Sequence, residues 1–300
     1  MKCKITGDKL SPFMSFGKMP SANGFLDENN FDNEFFYEME VGFSNKVSLL
    51  QLNEFSNPVK VHNDRYPFYT SSSLNMKKHF NQFAHWLKEK YLHNGSKLIE
   101  VGSNDGTLLE NFKNTNIEAV GFEPSITIAE LANKKNIKTL SKFFSTQNLD
   151  EIRNFHSSVD VICSANVIAH IPDLKDVIKC VDKLLSSKGL LIFEEPYLGS
   201  MFSKISYDQI YDEHIFMFSV NSIKKIFDLF DFELIDVLPQ VTHGGSMRYV
   251  IARRNKHKKS EIVSKFLDEE QSKKLDTIES CLDFKKACEL SKKMTVEKLN

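Results

Sequence analysis

The sequence lacks the features that mark membrane and secreted proteins. None of its apolar runs reaches the roughly 20 residues that a helix needs to cross a bilayer. Residues 1–8 lack the apolar core of a signal peptide. The five cysteines are scattered and form no close pair, so we expect reduced thiols rather than disulfides. These absences predict a cytoplasmic protein without a membrane partner.

An excess of charge of one sign is also missing. The 39 Lys and Arg residues oppose 40 Asp and Glu residues, which leaves a formal net charge of -1. The one basic cluster, residues 253–259, is typical of a solvated connection. The composition therefore gives no reason to expect a nucleic-acid partner. A hydrophobic content of 41% in 300 residues is enough for one good core and a smaller second one.

Three zones with different patterns follow one another along the chain. Residues 1–75 combine turn signals with short strand-like runs, which predicts a small irregular N-terminal cap. In residues 76–254 helical and apolar strand patterns alternate, which predicts an α/β fold with a doubly wound parallel sheet. Its last two strands, 232–238 and 246–252, are spaced as an antiparallel pair at the sheet edge. Residues 255–300 are rich in Lys and Glu and predict a helical tail.

A strand that ends in a glycine-spaced acidic turn, at residues 98–106, is the most informative stretch. Gly102 and Gly106 lack a Cβ, so the backbone turns tightly and approaches a ligand closely, at the start of a predicted helix. Glu100 and Asp105 disfavour a pyrophosphate and suit ribose hydroxyls with a positive charge. The sulfonium cofactor S-adenosylmethionine fits this turn better than a dinucleotide.

A second acid supports a nucleoside site. Glu123 ends the next predicted strand about 20 residues later, where an acid grips a ribose in doubly wound sheets. Pro124 and Ser125 then stop the strand and begin a helix, 126–134. Glycine turns followed by an acid also occur in parallel sheets that bind no ligand.

Polar residues also follow the later strands. Asn166 and His170 come after the strand 159–165 and are expected near Gly102, although Asn166 can instead cap its own turn and His170 can pack on the next helix. The run 207–214 is densely polar and leads into aromatic residues. Within that run three side chains have candidate roles, Tyr211 as a hydrogen-bond donor to an oxyanion, Glu213 as a partner that orients an imidazole, and His214 as a base. The alternative for His214 is a structural histidine at a helix end.

Together these motifs resemble the sugar C-methyltransferases, which methylate carbon 3 of dTDP-4-keto-deoxysugars. The resemblance rests on Glu-Val-Gly-Ser-Asn-Asp-Gly at 100–106, Gly-Phe-Glu-Pro-Ser at 121–125, His-Ile-Pro-Asp at 170–173, Glu-Pro-Tyr-Leu at 195–198, Tyr-Asp-Glu-His at 211–214 and Thr-His-Gly-Gly-Ser-Met-Arg at 242–248. It implies a class I methyltransferase with a Rossmann-like sheet, S-adenosylmethionine as cofactor and a nucleotide sugar as small-molecule substrate.

The resemblance also implies roles for individual residues. His214 would remove the proton from carbon 3, supported by Tyr211 and Glu213, with Asn166 and His170 beside the substrate. The implied cofactor contacts are Glu100, Gly102, Asn104, Asp105, Gly106, Glu123, Pro124, Asn166 and an aromatic residue, Phe144 or its neighbour Phe143. The implied substrate contacts are Tyr69, Tyr197 and His243.

The chain departs from the family at both ends. Relatives hold a zinc ion with paired cysteines, but only Cys3 remains here and Thr6 stands at the next ligand position, which predicts no metal. The cap is then expected to depend on apolar side chains, including Phe13, Phe16, Phe25 and Phe55. Phe68 occupies the position of a family aromatic hydroxyl, with Tyr69 beside it. Relatives also continue into a second α/β domain, so either this chain is truncated, or its acceptor is smaller, or a partner completes the wall.

Other functions remain open from the sequence. An O- or N-methyltransferase would use the same base without a carbon acid, and a non-catalytic protein would keep only the nucleoside pocket. A nicotinamide dehydrogenase is disfavoured because the turn lacks the Gly-x-Gly-x-x-Gly spacing. The sequence makes no prediction of the oligomeric state.

Overall fold

The computed structural model describes residues 1–55, 67–151 and 158–300. The strands are β1 Ser11–Pro20, β2 Phe36–Ser44, β3 Leu49–Leu52, β4 Lys97–Val101, β5 Glu118–Phe122, β6 Thr139–Leu140, β7 Val159–Ala165, β8 Leu185–Pro196, β9 Phe216–Met217, β10 Phe232–Gln240 and β11 Ser246–Arg253. The α-helices are α1 Leu74–Lys90, α2 Ile126–Lys134, α3 Leu174–Leu184, α4 Leu198–Lys204, α5 Val220–Asp228, α6 Glu261–Ser272 and α7 Ile278–Leu299.

The larger sheet has the strand order β10-β11-β8-β7-β4-β5-β6. Strands β4 to β8 pair in parallel, and β11 runs antiparallel to both β8 and β10. Apolar side chains project from both faces of this sheet into a core. Its strands are therefore continuous apolar runs. One face packs on α3 and α5 and the other on α1. The predicted α/β fold and its antiparallel edge pair are confirmed.

The N-terminal zone is more regular than its composition indicates. Strands β1, β2 and β3 form an antiparallel sheet that β9, from the central zone, extends. Phe13 and Phe43 lie in a core shared with Met201 of α4 and Phe284 of α7. Phe25 was expected in this core but is 76% exposed, because it lies beyond β1 in a loop that the sheet does not cover.

The helix predicted directly after the cofactor turn is only a short 3-10 turn, Leu109–Phe112. The side-chain amide of Asn111 donates to the carbonyls of Thr107 and Leu108, which competes with an α-helical pattern there. A ligand at this turn therefore meets the glycine backbone and side chains rather than the end of a long helix.

The C-terminal zone is helical, as predicted, and is bound to the central zone by a buried carboxylate. Glu270 of α6 accepts hydrogen bonds from the backbone N–H groups of Val220 and Asn221 at the start of α5. It therefore satisfies two of the donors that a helix N-terminus leaves free. Within the described residues, no helix has the length and apolar character needed to cross a bilayer.

Candidate active site

A cavity of about 390 Å³ opens at the carboxyl ends of the parallel strands. This is the edge at which doubly wound sheets bind ligands. Its wall includes eight of the residues predicted from the sequence, namely Gly102, Asn104, Glu123, Pro124, Phe144, Asn166, His170 and His243, together with Phe143. The sequence thus predicted part of this wall, because these residues follow the ends of strands, and it did not predict the rest.

The turn after β4 has the conformation that its glycine predicted. Gly102 has a φ of +69°, and a Cβ there would lie 2.3 Å from the side chain of Val167. Asn104 is also left-handed, with a φ of 48°. Its side chain accepts from the backbone N–H of Thr70 at 2.9 Å and donates to the carbonyl of Phe68 at 3.1 Å. Asn104 therefore fastens the segment before α1 to the rim of the cavity.

The acid predicted to grip a ribose lies in the cavity wall. Glu123 accepts the backbone N–H groups of Asn104 at 3.1 Å and Ser125 at 2.9 Å, and burial raises the pKa of its carboxyl group. Glu100 lies behind it and does not line the cavity. Burial and the nearby carboxylates of Asp105 and Glu123 raise the pKa of Glu100 well above its usual value. Its Oε2 atom is buried and has no hydrogen-bond partner in the part of the chain that the structure describes.

Two predicted cofactor residues build the turn instead of facing the cavity. Asp105 is buried, yet hydrogen bonds from Ser71 and Thr107 lower the pKa of its carboxyl group. Gly106 packs against the segment that follows α2, since a Cβ there would lie 2.7 Å from the side chain of Ile137. Neither residue is part of the cavity wall. Their sequence signal was correct for the turn but could not say which side chains point inward.

Aromatic side chains form the apolar part of the cavity. Phe144 is buried and packs edge-on against Phe122 with ring centroids 5.5 Å apart. Phe143 is 41% exposed and also lines the cavity. These flat apolar groups suit an adenine ring and the Glu123 carboxylate suits ribose hydroxyls. The residues present therefore fit S-adenosylmethionine.

The loop before β9 holds the predicted base in one tautomer. The Nδ1 atom of His214 lies 2.7 Å from the carbonyl oxygen of Gln209, so Nδ1 carries the hydrogen and donates it. Nε2 is then the unprotonated nitrogen, and the Tyr211 hydroxyl is 3.3 Å from it. Burial lowers the pKa of His214 to about 4, so its imidazole is neutral at pH 7.

His170 connects this loop to the cavity. Its ring lines the cavity, and its centroid lies 5.2 Å from that of His214. Its Nδ1 atom is 3.6 Å from Oε2 of Glu213. His214 itself lies behind His170, beside a much smaller cavity of about 10 Å³. The structure therefore brings Tyr211, Glu213, His214 and His170 together, with His170 nearest the cofactor cavity.

The sequence did not predict that the N-terminal zone contacts this loop. Asp212 accepts hydrogen bonds from the Ser21 hydroxyl at 2.6 Å and the Ala22 backbone N–H at 3.1 Å. The side-chain amide of Asn23 donates to Glu213. The acids of the 211–214 motif were a signal that partners must exist, but not where in the chain they lie.

The three predicted substrate residues differ in position. His243 lines the cavity and is left-handed, with a φ of 50°. Tyr69 lies outside the cavity wall, where Phe68 and Thr70 are found instead. Tyr197 also points away, because its hydroxyl donates to Glu270 at 2.8 Å.

A buried ion network beside the cavity was also missed. Glu194 lies near the end of β8 and accepts a hydrogen bond from Nε of Arg248 at 2.7 Å. Its other carboxylate oxygen lies 2.5 Å from Nε2 of His79. Despite burial, His79 and Arg248 lower the pKa of Glu194. The guanidinium of Arg248 also stacks 4.0 Å above the ring of Phe83, which braces β11 against α1.

The chain matches three family models along its length. One described as "Methyltransferase domain" matches residues 73–237, more than half of the chain. A model described as "Putative zinc binding domain" matches residues 3–61, and one described as "C-methyltransferase C-terminal domain" matches residues 241–300. Residues 3–61 contain Cys3 as their sole cysteine. The described residues contain no cluster of three or more His, Cys, Asp or Glu side chains suited to a metal. These residues do not fit a zinc site.

Among curated proteins, the C-methyltransferase NovU of Streptomyces niveus is 28% identical over 275 residues. The alignment covers 90% of this chain and 65% of NovU, so the chain spans about two thirds of that relative's length. A solved structure of magnesium protoporphyrin IX methyltransferase from Synechocystis PCC 6803 is 14% identical, covering 67% of this chain and 90% of its own, with a TM-score of 0.47. A methyltransferase from Clostridium acetobutylicum ATCC 824 is 12% identical, covering 64% and 94%, with a TM-score of 0.45.

The family match over residues 73–237 agrees with the fold, which has a parallel sheet, a glycine turn after β4 and Glu123 after β5. This chain belongs to the S-adenosylmethionine-dependent methyltransferases.

Proposed function

We propose that this protein methylates carbon 3 of a nucleotide-linked 4-keto-deoxysugar. The observation that carries the proposal is the state of His214, whose Nδ1 hydrogen is held by Gln209 so that Nε2 is left as a base beside the Tyr211 hydroxyl. A carbon acid needs such a base, and a base of this kind adds about 10²–10⁴-fold in rate. The similarity to a C-methyltransferase supports carbon as the acceptor.

The first step is removal of a proton from the sugar. A keto group at carbon 4 acidifies the hydrogen on carbon 3, and Nε2 of His214 accepts that hydrogen as a proton. The electron pair of the broken C–H bond moves onto the keto oxygen and forms an enolate. Because Nδ1 keeps its hydrogen bond to Gln209, the ring does not have to change tautomer before it reacts.

Tyr211 is suited to stabilise the enolate oxygen. Burial and the carboxylates of Glu213 and Asp212 raise the pKa of its phenol far above neutrality. The phenol therefore stays protonated and donates a hydrogen bond, and the hydroxyl that now contacts His214 is free to turn to the oxygen once the base is protonated. The Asp212 carboxylate favours the charged form of His214 and so helps to stabilise the imidazolium that forms.

His170 and the cavity hold the two reactants together. S-adenosylmethionine, when bound, supplies an electrophilic methyl group on a sulfonium ion. His170 lies between the large cavity and His214, and we place the sugar against it so that carbon 3 meets the donor on one side and the base on the other. The wall formed by Phe143, Phe144 and Phe122 is apolar, and an apolar surrounding favours reaction between an anionic carbon and a cationic donor.

Product analysis tests the proposal. Candidate 4-keto-deoxysugar nucleotides would be incubated with the protein and S-adenosylmethionine, and the product analysed by mass spectrometry and by NMR of the sugar. We expect one added methyl group on carbon 3. A methyl group found only on oxygen or nitrogen would replace the proposal with O- or N-methylation. Binding of the cofactor without any product would indicate a non-catalytic protein.

A further inference from the structure

The turn between β7 and α3 forms part of the cavity wall, on the side nearest His214. Asn166 is left-handed, with a φ of 57°, which costs an asparagine less than most residues but still requires support. Val167 packs over Gly102, and His170 lines the cavity. A shift of this turn would therefore displace groups on the cofactor side and on the base side together.

One buried carboxyl oxygen holds this turn in place. Oε1 of Glu195 accepts the backbone N–H groups of Val167 at 3.0 Å and Ala169 at 3.2 Å. The residue is fully buried. Its other oxygen, Oε2, is buried too and has no hydrogen-bond partner among residues 1–55, 67–151 and 158–300. A carboxylate in such a place leaves charge on an oxygen that nothing stabilises.

The charged surroundings disfavour ionisation. The neighbouring residue Glu194 is a carboxylate paired with Arg248, so that cation already has a partner. Burial raises the pKa of the Tyr211 and Tyr249 phenols, with a smaller contribution from Glu195, so both phenols stay uncharged and supply it with no cation. Burial, with a smaller contribution from Glu194, raises the pKa of Glu195 to about 8, although the N–H groups from the turn act against this shift.

We propose that Glu195 is a positioning residue that acts as an uncharged acid and fixes the turn 166–170 over the cofactor cavity. As a neutral acid it needs one oxygen to accept two N–H groups and carries no uncompensated charge into the core. It touches neither reactant, and its effect passes through Asn166, Val167 and His170. This role concerns the binding of the cofactor and does not depend on the proposed sugar substrate.

Two substitutions of Glu195 distinguish its role as a hydrogen-bond acceptor from any role of a negative charge. In Glu195→Gln the side chain keeps one oxygen for the two N–H groups, so we expect the affinity for S-adenosylmethionine, measured by calorimetry, to stay within about threefold of the wild type. In Glu195→Ala both N–H groups lose their acceptor, and we expect the affinity to fall about tenfold or more. Equal affinities of Glu195→Ala and the wild type would overturn the proposal, and so would equal losses in both variants.

A matched control uses a second buried glutamate that binds a turn outside the cavity. Glu233 is 3% exposed and accepts the backbone N–H of Asn255 at 2.8 Å. Glu233→Ala is expected to lower the melting temperature but to leave the affinity for S-adenosylmethionine unchanged. A loss of affinity there as large as in Glu195→Ala would show a general effect of destabilisation and would contradict a specific role.

The pH dependence of unfolding tests the charge state without any ligand and without Glu195→Ala. Because the pKa of Glu195 in the folded state lies above its unfolded value, its proton stabilises the fold in acid, and this stabilisation is lost as the pH rises toward about 8. We expect the melting temperature of Glu195→Gln to rise relative to the wild type between pH 5 and about pH 8. A difference that stays constant over this range would show that Glu195 is ionised and would overturn the uncharged state.

Discussion

At the scale of single residues, the structure separates the residue proposed to bind the cofactor from the residue proposed to act as the base. Glu123 lies in the wall of the large cavity, whereas His214 lies behind His170 and beside a different, smaller cavity. Glu123 is buried, His214 is partly buried and both have shifted pKa values, so burial alone does not distinguish their roles. Their positions relative to the two cavities do.

Substitution of these two residues should therefore affect different quantities, cofactor affinity for Glu123 and methyl transfer for His214. Glu123→Ala removes a ribose acceptor and leaves the N–H groups of Asn104 and Ser125 without their partner, so we expect the affinity for S-adenosylmethionine to fall at least about tenfold. His214→Ala should abolish methyl transfer and leave that affinity nearly unchanged. Calorimetry and a transfer assay on both variants check this, and an equal loss of affinity in both would contradict the assigned roles.

The pH dependence of the reaction should report on His214. Its pKa is lowered to about 4, so the neutral imidazole that accepts a proton is present above that value and is lost as the pH falls through it. We expect the kcat/KM of methyl transfer to stay flat between pH 6 and pH 7 and to decline only below about pH 5. A midpoint at the ordinary histidine value of about 6.5 would argue for a different, more exposed base.

At the scale of secondary structure, the central sheet could be predicted and its contacts with the N-terminal zone could not. Strands such as β4 and β7 are apolar runs that end at polar turns, so their bounds and the wall residues after them follow from local pattern. The hydrogen bonds from Ser21 and Ala22 to Asp212 join positions about 190 residues apart, and nothing local in either segment specifies the other. The pairing of β9 with β3 could not be predicted either, because these strands are also far apart in the sequence.

Asp212 should be the anchor of that contact. Asp212→Ala removes the acceptor for Ser21 and Ala22, and we expect a loss of about 1–3 kcal/mol in the free energy of unfolding. Hydrogen exchange at Ala22 should become faster, while affinity for the cofactor is retained. Asp283→Ala, at an exposed carboxylate paired with Lys286, is the control and should change neither quantity measurably. Unchanged exchange at Ala22 in Asp212→Ala would refute this anchoring.

At the scale of the whole molecule, the three sequence zones share cores instead of folding separately. One core joins Ile5 of the N-terminal zone to Val263 of α6 through residues of the central sheet. A second joins Phe13 to Phe284 of α7. Composition predicts the boundaries of the zones from changes of pattern, but such changes carry no information on which apolar surfaces meet.

Unfolding should therefore be a single cooperative transition, with Glu270 as an important link. Glu270→Ala leaves the N–H groups of Val220 and Asn221 and the Tyr197 hydroxyl without their acceptor, so we expect a loss of about 1–3 kcal/mol and one calorimetric peak at a lower temperature. A separate early transition, with the rest of the molecule melting at the original temperature, would show that the C-terminal helices form an independent unit.

The proposed mechanism requires that the partly buried imidazole of His214 turns carbon 3 of a keto sugar into a nucleophile. Exchange of the carbon-3 hydrogen for solvent deuterium, followed by NMR in the absence of S-adenosylmethionine, tests it most directly because no methyl transfer is needed. We expect exchange with the wild-type protein and none above background with His214→Ala. Methyl transfer by a wild-type protein that shows no exchange, or exchange that persists in His214→Ala, would contradict it.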